Sequence, residues 1–303
     1  MVRTDSPSRS GPAPGATALP AHPDAAAGVA ARPDLDSGRF FVVGPLRTGS
    51  SLLARCLDDH PGAICLCESE INRALFRDYY LLHHCRRMVA HGLTIEEAVG
   101  ALNRTPQEDI AGLERWYALV GPHLAGLYGK PAGARVGDKS PDYFRSPALV
   151  AYLAATHPLI YGVRDPRAIF HSISGQADSD EPQKAERWSF LFENFLAWEQ
   201  HLDRPNVLVV RYEDLITAPE TTMARAYAHV GLADSPRFLT PFVRPHPRRF
   251  LWRTAIDWET GIRRDFDAGR VDAWRRAVPG PLLRQVEADP RVARFMDRFG
   301  YEV

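Results

Sequence analysis

The chain has 303 residues, 45% of them apolar, which is enough to bury a complete hydrophobic core. Lysine plus arginine number 37 and aspartate plus glutamate also number 37, so no net charge favours nucleic acid or an anionic membrane as a partner. Any anion site must therefore be local. No stretch approaches the roughly 20 apolar residues of a membrane span, and the N-terminus lacks the plan of a secretory signal, which predicts a cytoplasmic location.

The composition divides the chain into two parts. Residues 1–37 are rich in Ala, Pro, Gly and Ser, and such a segment buries too little apolar surface to offset the entropy lost on ordering. We therefore expect a disordered lead over 1–37 and one folded domain over 38–303.

Four cysteines lie close together without the paired spacing of a zinc site: Cys56, Cys65, Cys67 and Cys85. We interpret them as reduced thiols, because a chain of this size does not need disulfides. Cys65 and Cys67 would lie on one face of a strand, so a C-x-C metal or redox role stays open.

The folded part begins with a short apolar run at 39–43, which stops at Gly44 and is followed by apolar residues at helical spacing. Similar runs, each followed by polar residues and a helical segment, lie at 63–66, 134–137, 159–163 and 207–210. Short unbroken apolar strands alternating with helices predict an α/β fold, with a parallel sheet covered on both faces. Ligands bind such sheets at the carboxyl ends of the strands. The irregular helical pattern at 94–127 is where we expect an acceptor-binding insertion.

The loop after the first strand, Gly44 to Ser51, has the G-x-x-x-x-G spacing of a nucleotide P-loop. Ser50 stands where ATP-binding loops carry a lysine. Backbone N–H groups of such a loop, together with the positive end of the helix that begins near Ser50, suit a dianionic phosphate.

This loop resembles that of sulfotransferases that use 3′-phosphoadenosine-5′-phosphosulfate (PAPS), whose motif is P-[KR]-[ST]-G-[ST]-[ST]. Leu46 departs from the usual proline. The resemblance implies that the 5′-phosphosulfate is bound by Arg47, Thr48, Gly49, Ser50 and Ser51.

The segment from Gly44 to Ser69 is similar to the tyrosylprotein sulfotransferase branch of that family, including the phrase L-D-x-H-P that ends at Pro61. This resemblance implies that Glu68 is the catalytic base. A carboxylate after the second strand would lie at the same sheet edge as the loop, which agrees with the chemistry. Glu70 is the competing candidate, and a solvent-exposed glutamate at a strand end is the alternative interpretation.

A second similar segment runs from the fourth apolar run to Ser172. Asp165 suits a helix N-cap and Pro166 suits the first helical position. The resemblance implies that Arg164 and Ser172 clasp the 3′-phosphate of PAPS. Ser172 would lie roughly 10 Å along the helix, and an arginine side chain can point back to share a phosphate with its hydroxyl. A surface ion pair between Arg164 and Asp165 is the alternative.

Three more residues are assigned by resemblance. Tyr212 lies in a Y-E-D-L segment whose tyrosine borders the nucleotide, and Arg270 precedes Trp274 in a looser match to a nucleotide-covering loop. Lys139, one of three lysines in the chain, ends a probable strand where related enzymes keep a lysine facing the sulfonyl group. An ordinary surface lysine is the alternative.

The resemblance implies sulfonyl transfer from PAPS to a hydroxyl of a small-molecule, carbohydrate or natural-product acceptor. Such transfer needs in-line placement of nucleophile and leaving group. Glu68 would accept the proton, Arg47 and Lys139 would stabilise the sulfonyl and the leaving phosphate, and Ser50 or Ser51 would hydrogen-bond the leaving group. Because side chains supply the cations, we expect no metal ion, and neither nucleic acid nor membrane as partner.

Two other classes of protein remain as alternatives. The glycine spacing permits an ATP-dependent kinase or NTPase, but the missing loop lysine argues against it. A nucleotide-binding protein that has lost catalysis is also possible, and the joint presence of Arg47, Glu68 and Lys139 argues against it.

Overall fold

The computed structural model describes residues 38–67, 109–176, 179–239 and 266–302, all of which belong to one compact unit. The predicted disordered lead, 1–37, lies outside these residues, and so do Glu68, Glu70 and Cys85.

In the described part of the chain, five parallel strands form one sheet in the order β2-β3-β1-β4-β5. The strands are β1 (Arg39–Val43), β2 (Ala63–Cys67), β3 (Arg135–Lys139), β4 (Leu159–Val163) and β5 (Val207–Arg211). The chain leaves the central strand β1 toward β2 on one side and later returns to β4 on the other. The direction of winding therefore changes beside β1, and the carboxyl edge at such a point is where open α/β sheets bind ligands.

Helices cover both faces of this sheet. They are α1 (Ser50–Asp59), α2 (Asp109–Leu127), α3 (Pro147–Thr156), α4 (Pro166–Ser174), α5 (Glu181–Glu199), α6 (Tyr212–Thr217), α7 (Pro219–His229), α8 (Ala273–Ala277), α9 (Gly280–Glu287) and α10 (Pro290–Phe299). Short 3₁₀ turns lie at Pro141–Arg145, Pro236–Leu239 and Ala268–Arg270. Among the helices that the structure describes, none combines the length and the apolar composition needed to cross a membrane.

Side chains of β1 alternate between two buried clusters, as the period of a strand requires. Phe41 and Val43 pack on the face covered by α3, α5 and α10, whereas Phe40 and Val42 pack on the face covered by α1 and α7. Strands buried on both faces read as unbroken apolar runs, so the predicted α/β fold with a parallel sheet is confirmed.

The helix signals read from the sequence around residue 165 are also confirmed. Asp165 is the N-cap of α4, its carboxylate accepts a hydrogen bond from the backbone N–H of Arg167 at 2.8 Å, and Pro166 is the first helical residue. At the other end of the chain, α10 stops at Gly300, after which the backbone N–H of Tyr301 donates to the carbonyl of Met296 at 2.9 Å.

The third strand runs two residues past its apolar segment. Its polar residues Asp138 and Lys139 pair with β1 and β2 in regular register, so the strand reaches the sheet edge. The hydroxyl of Tyr143 donates to the Asp138 carboxylate, which stabilises that polar group inside the protein. Of the predicted insertion at 94–127, only 109–127 lies within the described residues, and there Tyr117 is buried as a core side chain.

Candidate active site

The carboxyl edge of the sheet collects the residues that the sequence singled out. Because all five strands are parallel, the loop after Val43, the end of β3 at Lys139, the turn after Val163 and the residue after Arg211 meet at one edge.

The loop after β1 holds a conformation that depends on its two glycines. Gly44 has φ +120°, and a Cβ atom there would lie 2.5 Å from the carbonyl oxygen of Gly162 in β4. Gly49 has φ +78°, and a Cβ atom there would lie 2.4 Å from Cδ2 of the Tyr212 ring. The hydroxyl of Thr48 donates to the carbonyl of Pro45 at 2.9 Å and closes the turn. Glycine is therefore required for the close approach of the loop to β4 and to Tyr212.

The N-terminus of α1 faces the same edge without a capping side chain. Gly49 is the N-cap and offers no side-chain hydrogen bond, and the first turn carries no acidic residue. The unpaired N–H groups and the positive end of the helix dipole suit an anion at this position.

Arg47 lies in the loop, two positions before Gly49, the N-cap of α1. Its backbone has φ 67°, which is uncommon for a residue other than glycine and is typical of functional loops. Its Nε donates to the hydroxyl oxygen of Ser172 on α4 at 2.9 Å, across 125 positions of sequence. The sequence placed these two residues at different phosphates of one nucleotide, and the structure joins them directly.

Arg164 lies beside this pair and makes two long hydrogen bonds. Its Nη1 and Nη2 donate to the carbonyls of Arg47 at 3.4 Å and Arg270 at 3.3 Å, both beyond the usual range for such bonds. Its guanidinium carbon lies 4.1 Å from the centre of the Tyr212 ring, a cation–π distance. Its Nε is buried and has no hydrogen-bond partner among the described residues.

The ion pair that the sequence offered as an alternative for Arg164 does not form. Asp165 pairs instead with Arg167, whose Nη2 lies 2.9 Å from a carboxylate oxygen. Within the described part of the chain, no carboxylate pairs with Arg164. A guanidinium in this state suits an anionic ligand.

Lys139 is not a surface lysine, since its side chain is only 2% exposed. In the register of the sheet it lies between Val42 of β1 and Cys67 of β2. The Cys67 thiol in turn lies 4.0 Å from the hydroxyl oxygen of Ser51. Lys139, the loop and the end of β2 are therefore neighbours, and Glu68 follows Cys67 directly in the chain.

Cys56, Cys65 and Cys67 are buried, and no disulfide joins them to one another. Burial raises the pKa of the Cys65 thiol well above its ordinary value, and Asp138 adds to the effect. Burial likewise raises the pKa of Cys56. Both thiols are therefore protonated at physiological pH and are poor nucleophiles.

Arg270 contributes its backbone rather than its side chain. Its carbonyl accepts the bond from Arg164, while its half-exposed guanidinium points to Asp267, with Nε 3.8 Å from a carboxylate oxygen. Tyr212 is the first residue of the short helix α6, and its ring packs between Gly49 and Arg164.

Sequence reasoning missed a buried carboxylate behind these residues. Glu213 accepts hydrogen bonds from the backbone N–H of Asp165 at 3.0 Å and from the Tyr301 hydroxyl at 2.9 Å. Burial raises its pKa despite these bonds. Its place in the Y-E-D-L segment, directly after Tyr212, was a signal that could have drawn attention to it, whereas Tyr301 carries no signal in the sequence.

Comparison with known proteins gives a consistent result. A family model described as "Sulfotransferase family" matches residues 39–236. The protein-tyrosine sulfotransferase of Drosophila melanogaster is 26% identical over 193 residues, covering 61% of this chain and 36% of the relative. The chain thus spans about a third of the length of that relative.

Several solved structures share the fold. The sulfotransferase domain of the Synechococcus PCC 7002 olefin synthase aligns with a TM-score of 0.55 at 20% identity, covering 87% of this chain and 94% of that domain. The sulfotransferase domain from the curacin biosynthetic pathway aligns with a TM-score of 0.53 at 18% identity, covering 87% of this chain and 98% of that domain. A mouse sulfotransferase complexed with PAP aligns with a TM-score of 0.50 at 15% identity, covering 87% of this chain and 85% of that protein.

Proposed function

Because this chain belongs to the sulfotransferase family, whose model spans residues 39–236, we propose that it transfers a sulfonyl group from PAPS to an acceptor hydroxyl. The products would be a sulfate ester and 3′-phosphoadenosine-5′-phosphate (PAP). The observation that carries the proposal is the convergence of Arg47, Ser172 and Arg164 at the open N-terminus of α1.

The charge distribution supports a doubly anionic ligand. The chain as a whole is neutral, yet two guanidinium groups and a helix N-terminus meet at one sheet edge. Arg164 keeps a buried Nε without a partner among the described residues, and its two hydrogen bonds to backbone carbonyls are long enough to be exchanged. PAPS carries a phosphosulfate at one end and a 3′-phosphate at the other, and the loop together with the adjoining Arg164 and Ser172 offers cationic and hydroxyl groups for two such anions.

In this proposal the donor is bound by two groups of residues. Backbone N–H groups from Thr48 to Ser51 bind the 5′ end at the start of α1. Arg164 and Ser172 bind the 3′-phosphate, and Tyr212 supports the Arg164 guanidinium and borders the nucleoside. Arg270 contributes less than the sequence predicted, because its carbonyl and not its guanidinium faces Arg164.

The transfer step would be shared among three side chains. Arg47 and the buried Lys139 stabilise the negative charge that develops on the transferring group and the leaving phosphate. Each well-aimed donor of this kind lowers a barrier by about 2.7–4 kcal/mol. Glu68, the neighbour of Cys67 in the chain, takes the proton from the acceptor hydroxyl. PAPS supplies the sulfonyl group, and protein cations make a metal ion unnecessary.

The acceptor in this proposal is a small molecule, a carbohydrate or a natural product. Two of the proteins that share the fold are sulfotransferase domains of biosynthetic systems, an olefin synthase and the curacin pathway, which favours a natural-product hydroxyl. A direct search would incubate the enzyme with PAPS and a metabolite extract and detect products that gain the mass of one sulfonyl group.

The same assay tests the catalytic base. Glu68→Gln keeps the size of the side chain but cannot take a proton, so turnover should fall roughly 10²- to 10⁴-fold while donor affinity barely changes. Glu70→Gln is the matched control and should be mild. Near-normal turnover of Glu68→Gln together with loss of activity in Glu70→Gln would move the base to Glu70 and leave the reaction class intact.

A further inference from the structure

A buried carboxylate lies directly behind the anion site, and the transfer step makes no use of it. Both oxygens of Glu213 are occupied, one by the backbone N–H of Asp165 at 3.0 Å and the other by the Tyr301 hydroxyl at 2.9 Å. A carboxylate that is desolvated in this way is retained only where its bonds are well formed. These bonds join the turn after β4 to the C-terminal end of the chain, 88 positions beyond Glu213.

Glu213 holds the backbone of Asp165, which lies between the two residues of the proposed 3′-phosphate site, Arg164 and Ser172. Asp165 follows Arg164 in the chain and caps the helix that carries Ser172. The Glu213 bond therefore fixes the backbone between Arg164 and the start of the helix that carries Ser172. A shift of this turn would move the guanidinium and the hydroxyl together.

Two consecutive residues, Tyr212 and Glu213, contact the Arg164 side chain and the Asp165 backbone respectively. Tyr212 lies under the Arg164 guanidinium, with 4.1 Å between guanidinium carbon and ring centre, while the next residue, Glu213, holds the N–H of Asp165. Arg211 lies 4.2 Å from the centre of the Tyr301 ring, and its charge partly compensates that of the Glu213 carboxylate.

A second link ties the same turn to the C-terminus. Arg167 forks onto the carboxylate of Asp165, and its Nη2 also donates to the carbonyl of Glu302 at 2.7 Å. Its Nη1 donates to Glu287 at the end of α9 at 3.1 Å. Residues 301 and 302 are thus bonded to the turn by two routes, one through Glu213 and one through Arg167.

We propose that Glu213, braced by Tyr301, is a positioning residue for the 3′-phosphate of the donor: it sets the Arg164–Asp165 turn so that Arg164 and Ser172 recognise that phosphate. This inference rests on the proposed function, because it requires Arg164 to bind a 3′-phosphate. It assigns to the C-terminal end of the chain a role in selecting nucleotides that carry the second phosphate.

The test measures the dissociation constants of PAP and AMP, which differ only in the 3′-phosphate, by calorimetry. Glu213→Ala should weaken PAP about tenfold and AMP less than about twofold, since only the 3′-phosphate depends on the turn. Glu213→Gln should retain most of the preference, because its amide oxygen still accepts the Asp165 N–H. Tyr301→Phe removes the brace but leaves the ring, and should weaken PAP about threefold.

The matched control is Tyr152→Phe. It removes another tyrosine–glutamate bond of 2.9 Å, to Glu114, at the opposite edge of the sheet. This variant should lower the melting temperature without changing the ratio of PAP to AMP affinity, and so separates positioning from general destabilisation.

An unchanged ratio of PAP to AMP affinity in both Glu213→Ala and Tyr301→Phe would overturn the inference, whether or not the two nucleotides bind more weakly. If Glu213→Ala does not fold, Tyr301→Phe decides, and a ratio equal to that of the unaltered protein overturns the inference. An unaltered protein that binds PAP no better than AMP would contradict the proposed function itself. A PAP preference that survives in every variant would contradict only the role of Glu213.

Discussion

At the scale of single residues, the site depends on what its loop lacks as much as on what it carries. Ser50 occupies the position at which an ATP-binding loop needs a lysine. Arg47 supplies a cation three positions earlier, from a backbone with φ 67°. Gly49 lets the Tyr212 ring lie against the loop, and the Arg164 guanidinium packs over the same ring. Each of these residues therefore supports the next.

Gly49→Ala tests this dependence. Two effects add, since an L-residue at positive φ costs roughly 1–2 kcal/mol and the new methyl group would overlap the Tyr212 ring, at about 1–3 kcal/mol for overpacking. The free energy of unfolding should fall, and PAP binding should weaken because Tyr212 no longer supports Arg164. Denaturant unfolding and calorimetry measure the two effects.

Gly129→Ala is the control for backbone strain alone. Gly129 also has positive φ, +60°, but nothing lies within 4 Å of the position that a Cβ atom would occupy. The free energy of unfolding of Gly129→Ala should fall only by the cost of the backbone strain, and this variant should bind PAP like the unaltered protein. Equal stability losses in the two variants, with unchanged PAP binding, would show that the Tyr212 contact has no functional weight.

Arg164→Lys tests the fork of the guanidinium rather than its charge. Lysine keeps the positive charge but cannot make a bidentate contact with phosphate or stack flat on Tyr212. PAP affinity should fall by about tenfold, with AMP affinity little changed. A variant that binds both nucleotides like the unaltered protein would show that Arg164 acts as a simple charge.

At the scale of elements, a second polar cluster lies at the amino edge of the sheet, away from the proposed chemistry. There Arg39 at the start of β1 and Tyr152 on α3 both bond to Glu114 on α2. His157, after the end of α3, lies 3.9 Å from the same carboxylate and is buried. Burial lowers the pKa of His157 to about 4, against a smaller opposing effect of Glu114.

This cluster makes stability depend on pH. The pKa of His157 falls from 6.5 in its ordinary state to about 4 in the fold, so the unfolded chain binds more protons between these values. The free energy of unfolding should therefore decrease as the pH falls from 6.5 to 4, by at most about 3 kcal/mol from this residue. His157→Gln should flatten the curve, measured by denaturant unfolding across that range. A curve as steep in the variant as in the unaltered protein would assign the effect to other groups.

The elements themselves could be predicted from the sequence where local patterns determine them. Each of the five runs read from the sequence marks one described strand, although the third strand extends two polar residues beyond its run, and the Asp165–Pro166 signal marks the start of α4. The burial of Lys139 could not be predicted, because a lysine at a strand end is exposed unless neighbouring strands flank it. The bond of Arg47 to Ser172 and that of Glu213 to Tyr301 join residues 125 and 88 positions apart, and no periodicity encodes such pairs.

At the scale of the whole molecule, a chain with no net charge concentrates two guanidinium groups and a helix N-terminus where its winding reverses. After the last helix, Tyr301 bonds to Glu213 and the carbonyl of Glu302 bonds to Arg167, so this segment is tied to the same edge of the sheet. The proposed donor site would therefore draw on the loop after β1, the turn after β4, the start of α6 and residues 301 and 302.

The most direct test of the central claim is a thermal melt with PAP in EDTA compared with ATP and Mg²⁺. PAP at 100 times its dissociation constant should stabilise the fold by about 2.7 kcal/mol and raise the melting temperature clearly without any metal ion. ATP with Mg²⁺ should do so much less, because the loop has Ser50 in place of lysine and ATP lacks the 3′-phosphate that we propose Arg164 and Ser172 bind. A larger shift with ATP and Mg²⁺ than with PAP would contradict PAPS-dependent sulfotransfer and favour a kinase or NTPase.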